Sequence, residues 1–271
     1  MRTKTPWILS SLLGIVVALG CDGSAEAPQT REAPAAAKKR SLLEVIGDEQ
    51  ARARAAPGRT GILAEQKMYS LFDEELIIRD FFQDARGGFF VDVGCAWPIA
   101  SNNTYYLEKH LGWTGFGVDA LSDYAAGWQE KRPNSKFFTY LVTDKSDTSE
   151  IFFRSPNTGL SSTNRGLARG DLFGEQLQPE EIRVPSITLT DLLDREDITK
   201  IDLLAMDIEG HELTALQGFD IDRFRPALVV VEGSRRPVQR FFNQHGYVLV
   251  KRYLPFDGVN RYYAPRAAPS K

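Results

Sequence analysis

Ile201-Asp202-Leu203-Leu204-Ala205-Met206-Asp207-Ile208-Glu209-Gly210-His211-Glu212-Leu213 changes character within one short stretch. Its first half is a continuous apolar run of strand length, the pattern of a strand buried on both faces. Its second half gathers carboxylates around a glycine and then enters a helical stretch, residues 212–218. Runs of the first kind recur at 89–93, 115–118, 137–142 and 227–231, separated by helical stretches at 103–111, 123–131 and 189–196. Strand and helix in alternation predict an α/β fold: a mostly parallel sheet with helices on both faces. Residues 247–253 and 261–264 alternate in polarity around 255–258 and predict a C-terminal antiparallel hairpin. Upstream, Ser70–Asp73 predicts a cap for a helix carrying Leu76, Ile77, Phe81 and Phe82, with Gly87-Gly88 as its stop.

The chain has 271 residues, 42% of them apolar, enough for a real core. With 33 Lys+Arg against 36 Asp+Glu the net charge is −3, so wholesale nucleic-acid binding lacks an electrostatic basis. Cys21 and Cys95 are the only cysteines, which excludes a disulfide scaffold and a cysteine-rich zinc site.

The first residues differ from the rest. Arg2 and Lys4 precede an uncharged run, residues 6–20, that is short against the roughly 20 residues of a membrane-crossing helix. The run ends in Gly20-Cys21, similar to the lipobox of bacterial lipoproteins, although Ala18 stands where leucine is usual. Residues 1–21 therefore predict an exported, membrane-associated lipoprotein. The alternative is an uncleaved anchor holding a cytoplasm-facing domain at the inner membrane. Residues 22–60 form an Ala/Pro-rich tether and a peripheral helix, 61–266 one α/β domain, and 267–271 a tail.

Open parallel sheets bind ligands beyond the carboxyl ends of their strands. The first strand ends in Asp92-Val93-Gly94-Cys95-Ala96-Trp97, where Gly94 permits a sharp turn and a close approach to a ligand. The second ends in Asp119, placed to accept hydrogen bonds from two ribose hydroxyls. No G-x-G-x-x-G follows the first strand, so a pyrophosphate has no cradle and NAD is disfavoured. A cofactor with adenine and ribose but no phosphate fits better, and S-adenosylmethionine is such a molecule.

The stretch Asp207-x-Glu209-Gly210-x-Glu212 then resembles the hallmark of the FkbM family of S-adenosylmethionine-dependent methyltransferases. The preceding segment 184–193, the following Leu216, Gly218 and Phe219, and Arg225, Pro226 and Glu232 stand in that family's order. Val91–Gly94 and residues 101–106 are similar to one branch of it. The resemblance implies a Rossmann-like class I methyltransferase fold and O-methylation of a sugar or natural-product hydroxyl. Two departures stand out: Gly94-Cys95-Ala96-Trp97-Pro98 stands where many members have Gly-Ala-Asn and a second glycine, and Ala205 stands where many have lysine. They motivate a rival reading, a membrane-anchored, catalytically inactive binding module that keeps the fold.

Cofactor binding is assigned to Asp92, Gly94, Cys95, Ala96, Trp97, Asp119 and Asp144, and catalysis to Asp207, Glu209 and His211. Asp92 either organises the first loop or touches the cofactor, and Asp144 is an adenine contact or a turn residue. Trp97 and Trp128 either stack on adenine or belong to the core. Neighbouring carboxylates raise one another's pKa, which makes one of them a general base for a hydroxyl. Glu212 reads mainly as a helix cap, and His211 as a base or a solvent-facing residue. Asp207, Glu209 and Glu232 offer hard oxygen ligands without a metal-specific spacing, so no metal is assigned. Residues 155–171, polar and glycine-rich, read as a substrate or lid loop in which Arg165 and Arg169 hold an anionic or sugar substrate or face solvent.

Overall fold

The computed structural model describes residues 42–56, 58–156, 159–233 and 236–267. The export segment and most of the tether lie outside them. No helix among the described residues is long and apolar enough to cross a membrane.

Among the described residues the strands are β1 (Phe89–Val93), β2 (Thr114–Asp119), β3 (Ser135–Thr139), β4 (Leu141–Val142), β5 (Ser149–Arg154), β6 (Glu180–Ile187), β7 (Leu203–Met206), β8 (Leu228–Glu232), β9 (Tyr247–Leu249) and β10 (Asn260–Pro265). The helices are α1 (Leu42–Ala55), α2 (Glu74–Phe82), α3 (Tyr105–Leu111), α4 (Ala125–Lys131), α5 (Arg165–Ala168), α6 (Leu189–Arg195), α7 (Glu212–Gln217), α8 (Ile221–Phe224) and α9 (Arg236–Gln244). Seven strands form one sheet in the order β3-β2-β1-β7-β8-β10-β9. The expected parallel pairings are present: β1 lies between β2 and β7, and β7 pairs with β8. The antiparallel C-terminal strands are present too, but interleaved. β10 pairs with β8 on one side and β9 on the other and runs opposite to both, so the hairpin forms one edge of the sheet with β9 outermost.

Period-two alternation divides each central strand between two cores. Val91 and Val93, Leu204 and Met206, and Val229 and Val231 pack on one face with α6 and α7 residues such as Leu192 and Leu216. Phe90, Leu203, Leu228 and Val230 pack on the other with Leu76, Ile77 and Trp113. Residues buried on both faces in this way make the apolar runs continuous rather than alternating.

Three expectations needed correction. The run 137–142 is two strands, because the chain turns at Tyr140, whose N–H donates to the Asp119 carbonyl at 2.9 Å. β4 leaves the main sheet and joins a smaller one of order β4-β6-β5. Helix α2 stops before Gly87, at Gln83, which takes the left-handed conformation and returns its N–H to the Arg79 carbonyl. Asp73, not Ser70, occupies the N-cap position, while the Ser70 hydroxyl accepts the Glu75 N–H. The helix starting at Leu189 is capped as its composition implies, with the Thr188 side chain accepting the Asp191 N–H.

Candidate active site

The site lies where the carboxyl ends of β1, β2, β4 and β7 diverge. Gly94 leaves β1 with φ +76°, and a Cβ there would stand 1.9 Å from the Asp207 carbonyl oxygen. The Asp207 N–H donates to the Val93 carbonyl at 3.0 Å. The loops after β1 and β7 therefore interlock backbone against backbone, which only glycine allows. Beside them a cleft is lined by Val93, Gly94, Ala96, Asp119, Leu121, Tyr124, Tyr140, Val142, Phe152, Asp207 and Glu209, among others.

Asp119 ends β2 inside this cleft. One carboxylate oxygen accepts the Ala96 N–H at 3.1 Å and the other the Leu121 N–H at 2.9 Å. Burial pushes its carboxyl up to about 6, against the pull of those backbone bonds. Each oxygen still has a lone pair for a ligand. Ala96 and Glu209, on opposite loops, both have positive φ (41° and 50°) without being glycine. Such conformations cost roughly 1–3 kcal/mol and persist only where surrounding contacts impose them, a pattern found at ligand sites.

Asp92 does not line the main cleft. It is buried and accepts from Thr104 Oγ1 at 2.8 Å and Asn102 Nδ2 at 3.2 Å. Arg132, itself buried, donates to Asn102, Thr104 and the Pro98 carbonyl and pairs with buried Glu108. This network shapes the first loop, and Pro98 contributes its carbonyl to it. Burial raises the Cys95 thiol well above its ordinary range, so it is not a reactive thiolate. Asp92 and Cys95 instead line a smaller polar cavity with Asn102, Asn103, Ala205 and Asn260, which meets the main cleft at Gly94 and Asp207.

Trp128 is core: it is fully buried and donates its indole N–H to the Ala96 carbonyl at 2.8 Å. Trp97 stands at the rim, 40% exposed, edge-on to Tyr124 at 5.8 Å, and does not line the cleft. Asp144 is exposed and also outside the lining, its carboxylate 3.3 Å from the Thr143 hydroxyl. The cleft wall at that strand exit is made instead by Tyr140, Leu141 and Val142.

On the opposite side, Asp207, Glu209 and Glu232 bring carboxylate oxygens within 4.8 Å of one another. Their approach joins the ends of adjacent strands β7 and β8. Desolvation by the surrounding chain, then the charges of Glu232 and Glu212, hold the Asp207 carboxyl well above the usual carboxylate range. The residue nonetheless presents surface to solvent, so a ligand in the cleft can reach it. Hard oxygens so close could also accept a divalent cation, and they belong to the same three residues that the sequence offered without a metal-specific spacing. Glu212 is buried and accepts the Gly210 N–H at 2.8 Å, closing the turn. His211 occupies the N-cap position of α7 with its ring outside the cleft lining. Nδ1 lies 3.2 Å from Thr163 Oγ1 and Nε2 3.2 Å from Thr143 Oγ1, and desolvation lowers its pKa.

The polar loop 155–171 contributes Gly159 and Ser161 to the cleft. Its arginines do not reach it: Arg165 lies over the Phe153 ring and Arg169 bonds Gln176 and pairs with Asp171. Tyr124, Tyr140 and Phe152 were not singled out from sequence. Aromatic residues near strand ends carry no mark that separates a cleft wall from a core position.

The family model for the FkbM methyltransferase domain matches residues 92–254. The chain belongs to the FkbM methyltransferase family, and S-adenosylmethionine is its methyl donor. No curated protein matches it. Among solved structures it is similar to a TehB-like S-adenosylmethionine-dependent methyltransferase from Corynebacterium glutamicum, with 13% identity, 83% of this chain and 100% of that one covered, and a TM-score of 0.41. It is also similar to precorrin-6y C5,15-methyltransferase from Geobacter metallireducens, with 10% identity, 71% and 87% covered, and a TM-score of 0.39.

Proposed function

We propose that this methyltransferase methylates a hydroxyl group of a sugar or natural product. The reading is carried by the carboxylate oxygens of Asp207, Glu209 and Glu232, within 4.8 Å of one another at the cleft. There Asp207 is exposed, and the neighbouring charges of Glu232 and Glu212 help to hold its carboxyl above the usual range. A carboxylate of raised pKa is a better proton acceptor near neutral pH, and an attacking hydroxyl needs one.

The cleft suits the donor. Its walls, Leu121, Tyr124, Tyr140 and Val142, are apolar or aromatic enough to sandwich adenine. The Asp119 oxygens, already oriented by backbone N–H groups, would accept the two ribose hydroxyls. Gly94 offers a floor without side-chain bulk, and the adjoining cavity, with Asp92, Asn103 and Asn260, has acceptor oxygens for the ammonium of the methionine end. When bound, the donor supplies an electrophilic methyl group on a sulfonium. The chain's own part is to align the acceptor hydroxyl, exclude water with Gly159 and Ser161, and take the hydroxyl proton on Asp207 or Glu209. Asp144, Trp97 and His211 are then peripheral contributors.

Calorimetric titration with S-adenosylmethionine is the first test, repeated with Asp119→Ala, which should weaken binding at least tenfold. Absence of binding by the wild type would refute the donor site. Radiolabelled methyl transfer to a panel of glycosides and their amino analogues then tests the hydroxyl: transfer only to amines would refute O-methylation. For location we retain attachment through residues 1–21, with lipid on Cys21. Fatty-acid labelling abolished by Cys21→Ser is the expected result, whereas an unlabelled, protease-protected domain would favour an uncleaved anchor.

A further inference from the structure

Ser162 belongs to the strap that follows β5, 47 positions from Glu209 in sequence. It is fully buried, and backbone bonds of 2.9 and 3.1 Å in both directions fasten it to Phe153 of β5. Its hydroxyl oxygen accepts the Asn164 N–H at 3.0 Å, so its one proton is committed to the Glu209 carbonyl, 2.8 Å away. The next residue, Thr163, approaches His211 on the same turn, and His211 approaches Thr143 at the exit of β4. The strap is thus tied to the 209–211 turn at two adjacent points. Two of its other residues, Gly159 and Ser161, line the donor cleft together with Asp119 and Glu209.

Glu209 is the residue of that turn most in need of holding, because it has a side chain and a φ of +50°. We propose that Ser162 is a positioning residue. Its hydroxyl holds Glu209 in the left-handed turn, and through that bond the strap walling the donor cleft sets where the Glu209 carboxylate points. Donor binding and the acidic turn are then one cooperative unit. This rests on the assignment of the cleft to S-adenosylmethionine.

A double-mutant cycle on the full chain separates this role from simple support of the strap. Glycine adopts positive φ without penalty, so Glu209→Gly makes the holding bond dispensable. Ser162→Ala should weaken S-adenosylmethionine binding about tenfold in the wild-type background and less than twofold in the Glu209→Gly background. Without ligand, Ser162→Ala should also speed amide exchange at Gly210 and His211, whose N–H groups bond Glu212 and the Ile208 carbonyl. Equal weakening in both backgrounds, or none in either, overturns the proposal. Unchanged exchange at Gly210 and His211 overturns it independently of the donor. Failure of the wild type to bind S-adenosylmethionine while exchange does respond would instead refute the donor assignment.

Discussion

Two acidic clusters meet at the same end of the sheet and have opposite characters. Asp207, Glu209 and Glu232 stand at the ends of β7 and β8 and border the cleft. Glu74, Asp257 and Asn260 stand beside them, since Asn260 of β10 is directly opposite Glu232 of β8. The second cluster is sealed: all three residues are at most 4% exposed. Asp257 accepts from the Val259 and Asn260 N–H groups, Asn260 Nδ2 and the Tyr262 hydroxyl, and Glu74 accepts from the Phe72 N–H and Asn260 Nδ2. Donors surround the sealed carboxylates, whereas the open ones approach one another at the cleft. Buried acids met by donors hold the fold together, whereas an acid held above its usual range at a cleft is a candidate for proton transfer.

The largest effect that would break this contrast is on turnover. Asp207→Asn should lower S-adenosylhomocysteine release about 10²- to 10⁴-fold with the acceptor found by the glycoside screen, while denaturant midpoints stay unchanged or rise. A variant of near-normal rate would remove Asp207 from the chemistry. Asp257→Ala should do the reverse. Stranding four donors, three of them buried, should cost about 2–4 kcal/mol in urea unfolding, with donor affinity retained in the folded fraction.

The contrast also has a pH signature. Glu74 is pushed up to about 8 by burial and then by Asp257. The folded state therefore keeps a proton that the unfolded chain releases near pH 4.5, and stability should fall as pH rises from there to about 8. Glu74→Gln should flatten that slope, a difference of about 1–3 kcal/mol at pH 8 by urea titration. An unchanged slope would assign the pH dependence elsewhere. The smallest expected effect is on donor affinity. Asp119, raised to about 6 in the free cleft, accepts ribose hydroxyls best when ionised. Binding of S-adenosylmethionine should therefore weaken severalfold between pH 7.5 and 5, and Asp119→Asn should bind weakly at both.

Much of this was legible in the sequence. β1 has the bounds its apolar run predicts, and β2, β7 and β8 fall within a residue or two of theirs, because strands buried on both faces leave continuous apolar runs. Gly94, Ala96, Asp119, Asp207 and Glu209 all reached the cleft from strand ends, where the topology of a parallel sheet puts ligand-binding residues. Strands β5 and β6 were not legible. They flank a polar glycine-rich stretch, and β6, Glu180–Ile187, opens with Glu180, Glu181 and Arg183 among its first four residues and has a proline within it. Trp97, Asp144 and His211 were drawn in by chain proximity to the site, but the direction of a side chain leaving a loop depends on what packs against it.

The sequence by itself determined the strand order's raw material, the acidic turn after β7 and the family, because local periodicity and a short motif report on neighbours along the chain. Only the tertiary structure decided which acids are open and which are sealed. It placed Glu232 against Asp207 across two strands, Asn260 between the two clusters, and Ser162 on the Glu209 carbonyl. Those are contacts between residues far apart in the chain, and their physical basis, exclusion of water and the supply of donors, exists only once the segments are packed together.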